Sequence, residues 1–336
     1  MKISVLDQTQ LLEGISAEEG FAQSVELAKY VDGLGFHRYW LSEHHSSDAL
    51  AGSSPEILAS HLLAKTENIK IGTGGVMLPH YSAYKVAENF KVMSALAPGR
   101  IDLGVGRAPG GHHLSNIALQ GENAKKRNVD IFPEQIDHVL EYLEDKIPGN
   151  HPLRGLETTP VIEKKPELWI LGTSNSSAIL AAEKGLPYAF AQFINYQPGG
   201  MEQAIQLYID NFKPSKYLEK PQILVTMKII VADTDKEAEM VAASALRFNY
   251  FLHRGRLTRL VEPLNALSHV VAPSDKREIE ALKATYIIGS KETVAKKVKE
   301  LTDRFPIDEL MAITPIYDFE KRKRSFKLLS DAIHSV

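Results

Sequence analysis

The chain has 336 residues, 44% of them hydrophobic and 24% charged, with a formal net charge of -3 and no cysteine. That supports one large α/β domain or two smaller ones, and it gives no argument for nucleic acid or an anionic membrane as partner. The missing cysteines exclude disulfides, thiolate catalysis and cysteine-ligated zinc.

The order of elements starts with a strand over Lys2-Ile3-Ser4-Val5-Leu6-Asp7. This apolar run is too short for a signal peptide, and no uncharged stretch reaches the length of a membrane span, so a cytoplasmic location is expected. Ser16-Ala17-Glu18-Glu19 reads as a capping box that opens a helix with Phe21, Val25 and Ala28 at helical spacing. Gly33 and Gly35 stop it. Phe36 to Ser42 is a second strand, and Ser54-Pro55 opens a second helix with a cap and a proline at its first position. Asn68 to Met77 is a third strand with glycines inside it, which mark a bulge or a close approach by another group. A third helix carries Val86, Phe90 and Met93, and a fourth strand runs from Arg100 to Arg107. A fourth helix carries Ile136, Val139, Leu140 and Leu143.

Further strands are predicted at Glu167–Gly172, Tyr188–Ala191, Ile223–Val231 and Asp308–Ile316. A helix from Ser177 to Lys184 follows the fifth strand, and a last helix uses Phe319, Phe326, Leu329 and Ile333. Eight strands alternating with helices imply a parallel sheet closed into a (β/α)8 TIM barrel, with insertions at its C-terminal face. Residues 1–336 are expected to form a single domain. Gly110–Arg127 and Leu252–Ala284 interrupt the alternation, and the second is expected to form a lid over the barrel mouth.

Four stretches carry chemistry. Tyr39-Trp40-Leu41-Ser42-Glu43-His44-His45 is an apolar strand ending in three titratable residues, where a barrel keeps its reactive groups. One of these histidines serves as a general base or hydrogen-bond donor near neutral pH; the other reading is a solvated loop. His80, His112 and His113 do not complete a metal-binding spacing, and no metal is expected. Gly172-Thr173-Ser174-Asn175-Ser176-Ser177 joins a strand to a helix. Its hydroxyls and amides suit a phosphate, although serine and asparagine also serve as plain helix caps. Arg107 follows the fourth strand and suits either an anionic ligand or an ion pair with Asp102 or Glu43. The glycines from Gly104 to Gly110 have the wrong spacing for a dinucleotide fingerprint. Thr73-Gly74-Gly75-Val76 presents bare backbone against which a flat ring can lie, or makes a simple bulge.

Trp40 to His45, Gly72-Thr73-Gly74-Gly75 with Leu78-Pro79, Gly99 to Arg107, and Ser174 to Ser177 with Gly185-Leu186-Pro187 occur in one order along almost the whole chain. In these motifs the chain resembles the bacterial luciferase-like flavin monooxygenases. The resemblance implies a barrel that binds FMN at its C-terminal face. Ser174, Asn175 and Ser176 would hold the flavin phosphate, with Arg107 on the flavin side. Gly74 and Gly75 would form the cis peptide behind the isoalloxazine, and His44 would be the catalytic histidine. It also implies an oxidoreductase acting on paired donors. Reduced FMN is the co-substrate, dioxygen the oxidant and a small organic molecule the acceptor. A separate flavin reductase and a homodimer through the second and third helices are the implied partners. The same superfamily includes deazaflavin-dependent hydride-transfer oxidoreductases, and a non-catalytic flavin-binding relative is a third reading.

Overall fold

The computed structural model describes residues 1–121, 130–194, 197–268 and 272–334. Residues 122–127 of the first insertion and 269–271 of the second lie outside the described residues. The strands are β1 (Lys2–Asp7), β2 (Arg38–Leu41), β3 (Lys70–Met77), β4 (Ile101–Gly106), β5 (Glu167–Gly172), β6 (Tyr188–Ala191), β7 (Ile223–Ala232), β8 (Tyr286–Ser290) and β9 (Glu309–Ile313). The helices are α1 (Ala17–Gly33), α2 (Pro55–Leu63), α3 (Ala83–Leu96), α4 (His113–Gln120), α5 (Phe132–Glu144) and α6 (Asn175–Glu183) in the first half. They continue with α7 (Gly200–Asn211), α8 (Asp235–Leu252), α9 (Pro263–Ser268), α10 (Pro273–Lys283), α11 (Lys291–Arg304) and α12 (Phe319–His334).

Every strand pairs in parallel, in the order β6-β5-β4-β3-β2-β1-β9-β7-β8, and a further β6–β7 pairing closes the barrel. Eight strands therefore form the ring, as the alternation predicts, but the eighth of them is β9. β8 lies outside it. β7 is long enough to serve two neighbours: Leu224 to Lys228 pair with β9, and Lys228 to Ala232 run on to pair with β8. The Ser16–Glu19 capping box is formed, with both of its reciprocal hydrogen bonds. Gly35 ends the turn after α1 at a φ of 77°, a conformation that suits glycine.

Alternation along each strand sends every second side chain into the barrel. Trp40, Trp169, Leu224 and Met311 fill the middle layer, with the two indoles edge to face at 5.4 Å. Below them Arg38 donates to Asp102 at 2.7 Å, Glu167 at 2.9 Å and Glu309 at 3.1 Å, and its guanidinium lies 4.7 Å from the Trp169 ring. Lys70 adds a 3.0 Å bond to Glu167. This end of the barrel is plugged by paired charge. A larger apolar core lies between the strands and the surrounding helices. Buried Asp7 at the end of β1 ties that layer together by accepting from Ser24, Tyr39 and Arg322. Among the described residues no helix is long and apolar enough to cross a membrane.

The second insertion does not simply cap the mouth. α9 and α10 pack against α8 and β8, through Ala243 with Ala266 and Leu246 with Leu282. The coil between α8 and α9 faces the barrel instead. It is held to the β1–α1 loop by the Leu260 amide donating to Leu11 at 3.1 Å and the Glu13 amide donating to Leu260 at 2.7 Å.

Candidate active site

Two chambers open side by side at the C-terminal ends of the strands. The inner one, of about 200 Å³, is floored by Leu6, Trp40 and Met311 and walled by Gly75, Arg107 and Ser174 among others. The outer one, of about 420 Å³, is bounded by Glu43, His44 and His45, by Lys228 of β7, and by Phe248 and Leu252 of α8. Gly74, Met77, Ala108, Phe193 and Ile194 line both, so the chambers adjoin along one shared wall.

Gly74 of β3 belongs to that wall, and Gly75 lines the inner chamber alone. The Gly74–Gly75 peptide is cis, and the register with β4 shifts between Thr73 and Val76. A Cβ on Gly74 would lie 2.7 Å from Leu6 Cδ1, and one on Gly75 would lie 2.7 Å from the Gly104 carbonyl oxygen. Only bare backbone fits against the barrel here, and both peptide units face the inner chamber. The Met77 amide beyond the bulge donates to Glu43 Oε2 at 2.9 Å. Glu43 also accepts from Tyr81 at 2.7 Å and meets His45 Nε2 at 2.7 Å. This carboxylate is fully engaged in shaping the wall.

His44 follows in the loop after β2. Its Nδ1 meets Ser42 Oγ at 3.1 Å, which leaves Nε2 for the chamber. Burial, helped by the charge of neighbouring His45, pulls its pKa down to about 4, so at neutral pH the ring is an uncharged imidazole.

At the far side of the inner chamber, α6 begins two residues earlier than the sequence reading placed it, at Asn175. Ser174 is its N-cap: Ser174 Oγ accepts from the Ser177 amide at 3.4 Å, and Ser177 Oγ donates to the Ser174 carbonyl at 2.8 Å. The plain-cap reading is thus realised by Ser174 and Ser177. The remaining groups exceed it. Ser174, Asn175 and Ser176 are exposed, and the hydroxyls of Ser174 and Ser176 lie 3.0 Å apart on the first turn. Thr173, Ser174 and Ser177 line the chamber, whereas Asn175 and Ser176 stand just outside its lining. Arg107 lines the same chamber. It pairs with neither Asp102 nor Glu43 but lies 3.3 Å from Asp130 and 5.5 Å from the Phe132 ring. Arg38 has taken Asp102, and His45 and Tyr81 have taken Glu43.

The structure therefore gathers Gly74, Gly75, Arg107 and Ser174 around one chamber and sets His44 in its neighbour. It adds Lys228, which the sequence reading passed over. Its signal was a single charge within the ten-residue run of β7, in register with inward Leu224 and Thr226. Among the described residues one cluster is compact enough for a cation, His138, Glu141 and His151, with ligand atoms within 4.8 Å of one another. It lines neither chamber.

Known proteins resemble this chain in sequence and fold. N-acetyl-S-alkylcysteine monooxygenase of Bacillus subtilis (strain 168) is 37% identical over 333 residues, covering 99% of this chain and 98% of its own. The crystal structure of apo-MsnO8 superposes with a TM-score of 0.90 at 32% identity, covering 100% of this chain and 98% of the other. The oxygenating constituent of 3,6-diketocamphane monooxygenase from the CAM plasmid of Pseudomonas putida was solved in complex with FMN. It covers 99% of this chain and 98% of its own at a TM-score of 0.72 and 19% identity, a likeness of fold alone. The luciferase-like monooxygenase family model matches residues 1–306, and the chain belongs to that family.

Proposed function

We propose that this chain is an FMN-dependent monooxygenase that holds reduced FMN in the inner chamber and a small organic substrate in the outer one. The observation that carries this reading is the pair of adjoining chambers that share Gly74 in their common wall, with bare Gly75 backbone, a serine-rich helix start and an arginine on the inner side. The residues present fit a phosphorylated planar ring. Ser174, Asn175 and Ser176 offer hydroxyls, an amide and free backbone N–H groups at the positive end of α6. Arg107 adds a cation on the same chamber, where it can leave exposed Asp130 for an anion. Leu6, Trp40 and Met311 supply a dry apolar floor, and the glycine wall lets backbone lie flat against a ring.

Bound in its reduced form, FMN would supply the two electrons with which dioxygen gives one oxygen atom to the substrate and the other to water. The chain's part is positioning and proton management. His44, uncharged at rest, can accept a proton at Nε2 and become an imidazolium, or hold a hydrogen bond there. Phe193, Phe248 and Leu257 exclude water around it. Lys228, Leu252, Gly255 and Leu257 complete the outer wall, and we read the coil between α8 and α9 as the part of the 252–284 insertion that shapes the substrate side of a single 1–336 domain.

A separate reductase that delivers reduced flavin in the cytoplasm fits this reading, since the Pseudomonas protein is an oxygenating constituent of its enzyme. A homodimer through α2 and α3 fits as well, because Ile57, Val92 and Leu96 are exposed there. The test is rapid mixing of the protein and reduced FMN with oxygenated buffer. The expected result is oxygen uptake that precedes the return of oxidised-flavin colour. Simultaneous uptake and colour, as with free flavin, would overturn the proposal. Tight binding of a reduced deazaflavin with no oxygen uptake would replace it with hydride transfer.

A further inference from the structure

We propose that the outer chamber selects an organic monoanion, a carboxylate or sulfonate on an apolar body, and that Lys228 is the residue that recognises its charge. The inference rests on reading the outer chamber as the substrate side. Lys228 sits where β7 leaves the ring, on the inward face above Leu224 and Thr226, and it is 7% exposed. Its ammonium donates once, to the Phe193 carbonyl at 3.3 Å, and lies 5.1 Å from the Tyr286 ring. An ammonium has three donors, so two are left for another acceptor. Among the described residues no carboxylate forms an ion pair with it, and Glu43, the one acid lining this chamber, is engaged elsewhere.

A further buried polar side chain bears on the ligand's body and not on its charge. Asn249 of α8 lines the same chamber, is 3% exposed, and its Oδ1, without a hydrogen-bond partner among the described residues, would accept from a donor on that body. The rest of the described wall is largely apolar, including Leu50, Met77, Ile194, Leu252 and Leu257. One amine and no arginine in this wall suit a monoanion, not a phosphate dianion, which calls for several donors. A buried charge without a counterion is unfavourable, and an incoming anion would relieve it.

The proton count gives a second readout. Burial alone pulls the Lys228 amine down to about 7, so it is largely uncharged in mildly alkaline buffer, and an anion that pairs with it must bring a proton from the buffer. The other ionisable groups facing this space are Glu43, His44, His45, His112 and Tyr286. His44 is held neutral, and Glu43 with His45 already form a pair.

The experiment is isothermal titration of the full chain, with and without FMN, using hexanoate, hexane-1-sulfonate and hexan-1-ol. At about pH 8 at least one acid should bind roughly tenfold or more tightly than the alcohol, with proton uptake seen as a dependence of heat on buffer ionisation. The tighter acid names the head group. Lys228→Met should abolish both the preference and the uptake, and Lys228→Arg should keep the preference and lose the uptake. Equal affinity of acid and alcohol, no measurable binding of either acid, or a preference retained in Lys228→Met would each overturn the proposal. If Lys228→Met does not fold, proton uptake by the unaltered protein decides alone. Flavin-free protein serves for the binding arm, so a failure of the FMN reading shows in the oxygen experiment and leaves this one standing.

Discussion

The two ends of the barrel treat charge in opposite ways. At the N-terminal end Arg38 is surrounded by Asp102, Glu167 and Glu309, with Lys70 behind them and Ser4 also bonded to Glu309. Two cations there face three carboxylates, and burial raises the pKa of the Asp102 carboxyl, which lessens the excess of negative charge. Glu167 is held down at about 2, because Arg38 and Lys70 overcome the effect of burial. Among the described residues at the C-terminal end the Lys228 ammonium has a single hydrogen bond, the His44 side chain has one, and the start of α6 shows exposed hydroxyls. Charges with counterions hold a structure in place, whereas a charge without one is open to a ligand; Asp102 Oδ1 lacks a hydrogen bond but still faces Lys70 Nζ at 3.6 Å. The contrast assigns stability to one end and recognition to the other, as expected of a parallel barrel.

The sharpest way to break that assignment is to unbalance the plugged end. Arg38→Met leaves Asp102 and Glu309 buried without their cation, and it should remove about 3–5 kcal/mol of stability. Urea unfolding would measure it. A loss below about 1 kcal/mol would show that the cluster is no better than a surface ion pair. The next effect belongs to the other end. His44→Ala should lower turnover by about 100-fold or more, the scale of a general acid or base, while FMN affinity changes little. Equal losses in rate and affinity would reassign His44 to binding. Smaller again, Ser174→Ala combined with Ser176→Ala should weaken FMN binding by roughly tenfold, as expected for one hydrogen bond to a charged group, and leave riboflavin binding unchanged. Parallel weakening of both ligands would remove the phosphate assignment.

The same contrast explains what could be seen in the sequence. β5 and β6 fall where short apolar runs follow Pro166 and Pro187, and the α1 capping box is local, so both were legible. The chemistry at the rim was partly legible because its motifs are short stretches, Trp40 to His45 and Gly172 to Ser177, each acting through its own backbone. The plug was not legible. Arg38 finds Glu309 across 271 positions of sequence, and each of its partners looks locally like an ordinary polar strand end. β8 escaped for a related reason: Tyr286–Ser290 is short and pairs only with the overhang of β7, a length that the sequence of β7 does not announce. Lys228 was hidden in that same strand. A lysine there reads as an outward charge until the register of β7 against β9 fixes it as inward.

Lys228 also supplies the finest test of the contrast, one of stability without any ligand. In the folded chain its amine titrates near 7, and in the unfolded chain near ~10.4. Between those values the unfolded state binds more protons, so stability rises with pH, by up to about 1.4 kcal/mol per unit from this group. Below the folded value both states are protonated and the full destabilisation is present; it is relieved as pH climbs toward the unfolded value. Lys228→Met removes the term. Its unfolding midpoint should therefore lie above that of the unaltered protein at about pH 6–7, and the gap should close toward about pH 10. Parallel curves across this range would mean that the rim lysine is as well solvated or paired as the charges of the plug, and the distinction between the two ends would fail at its most specific point.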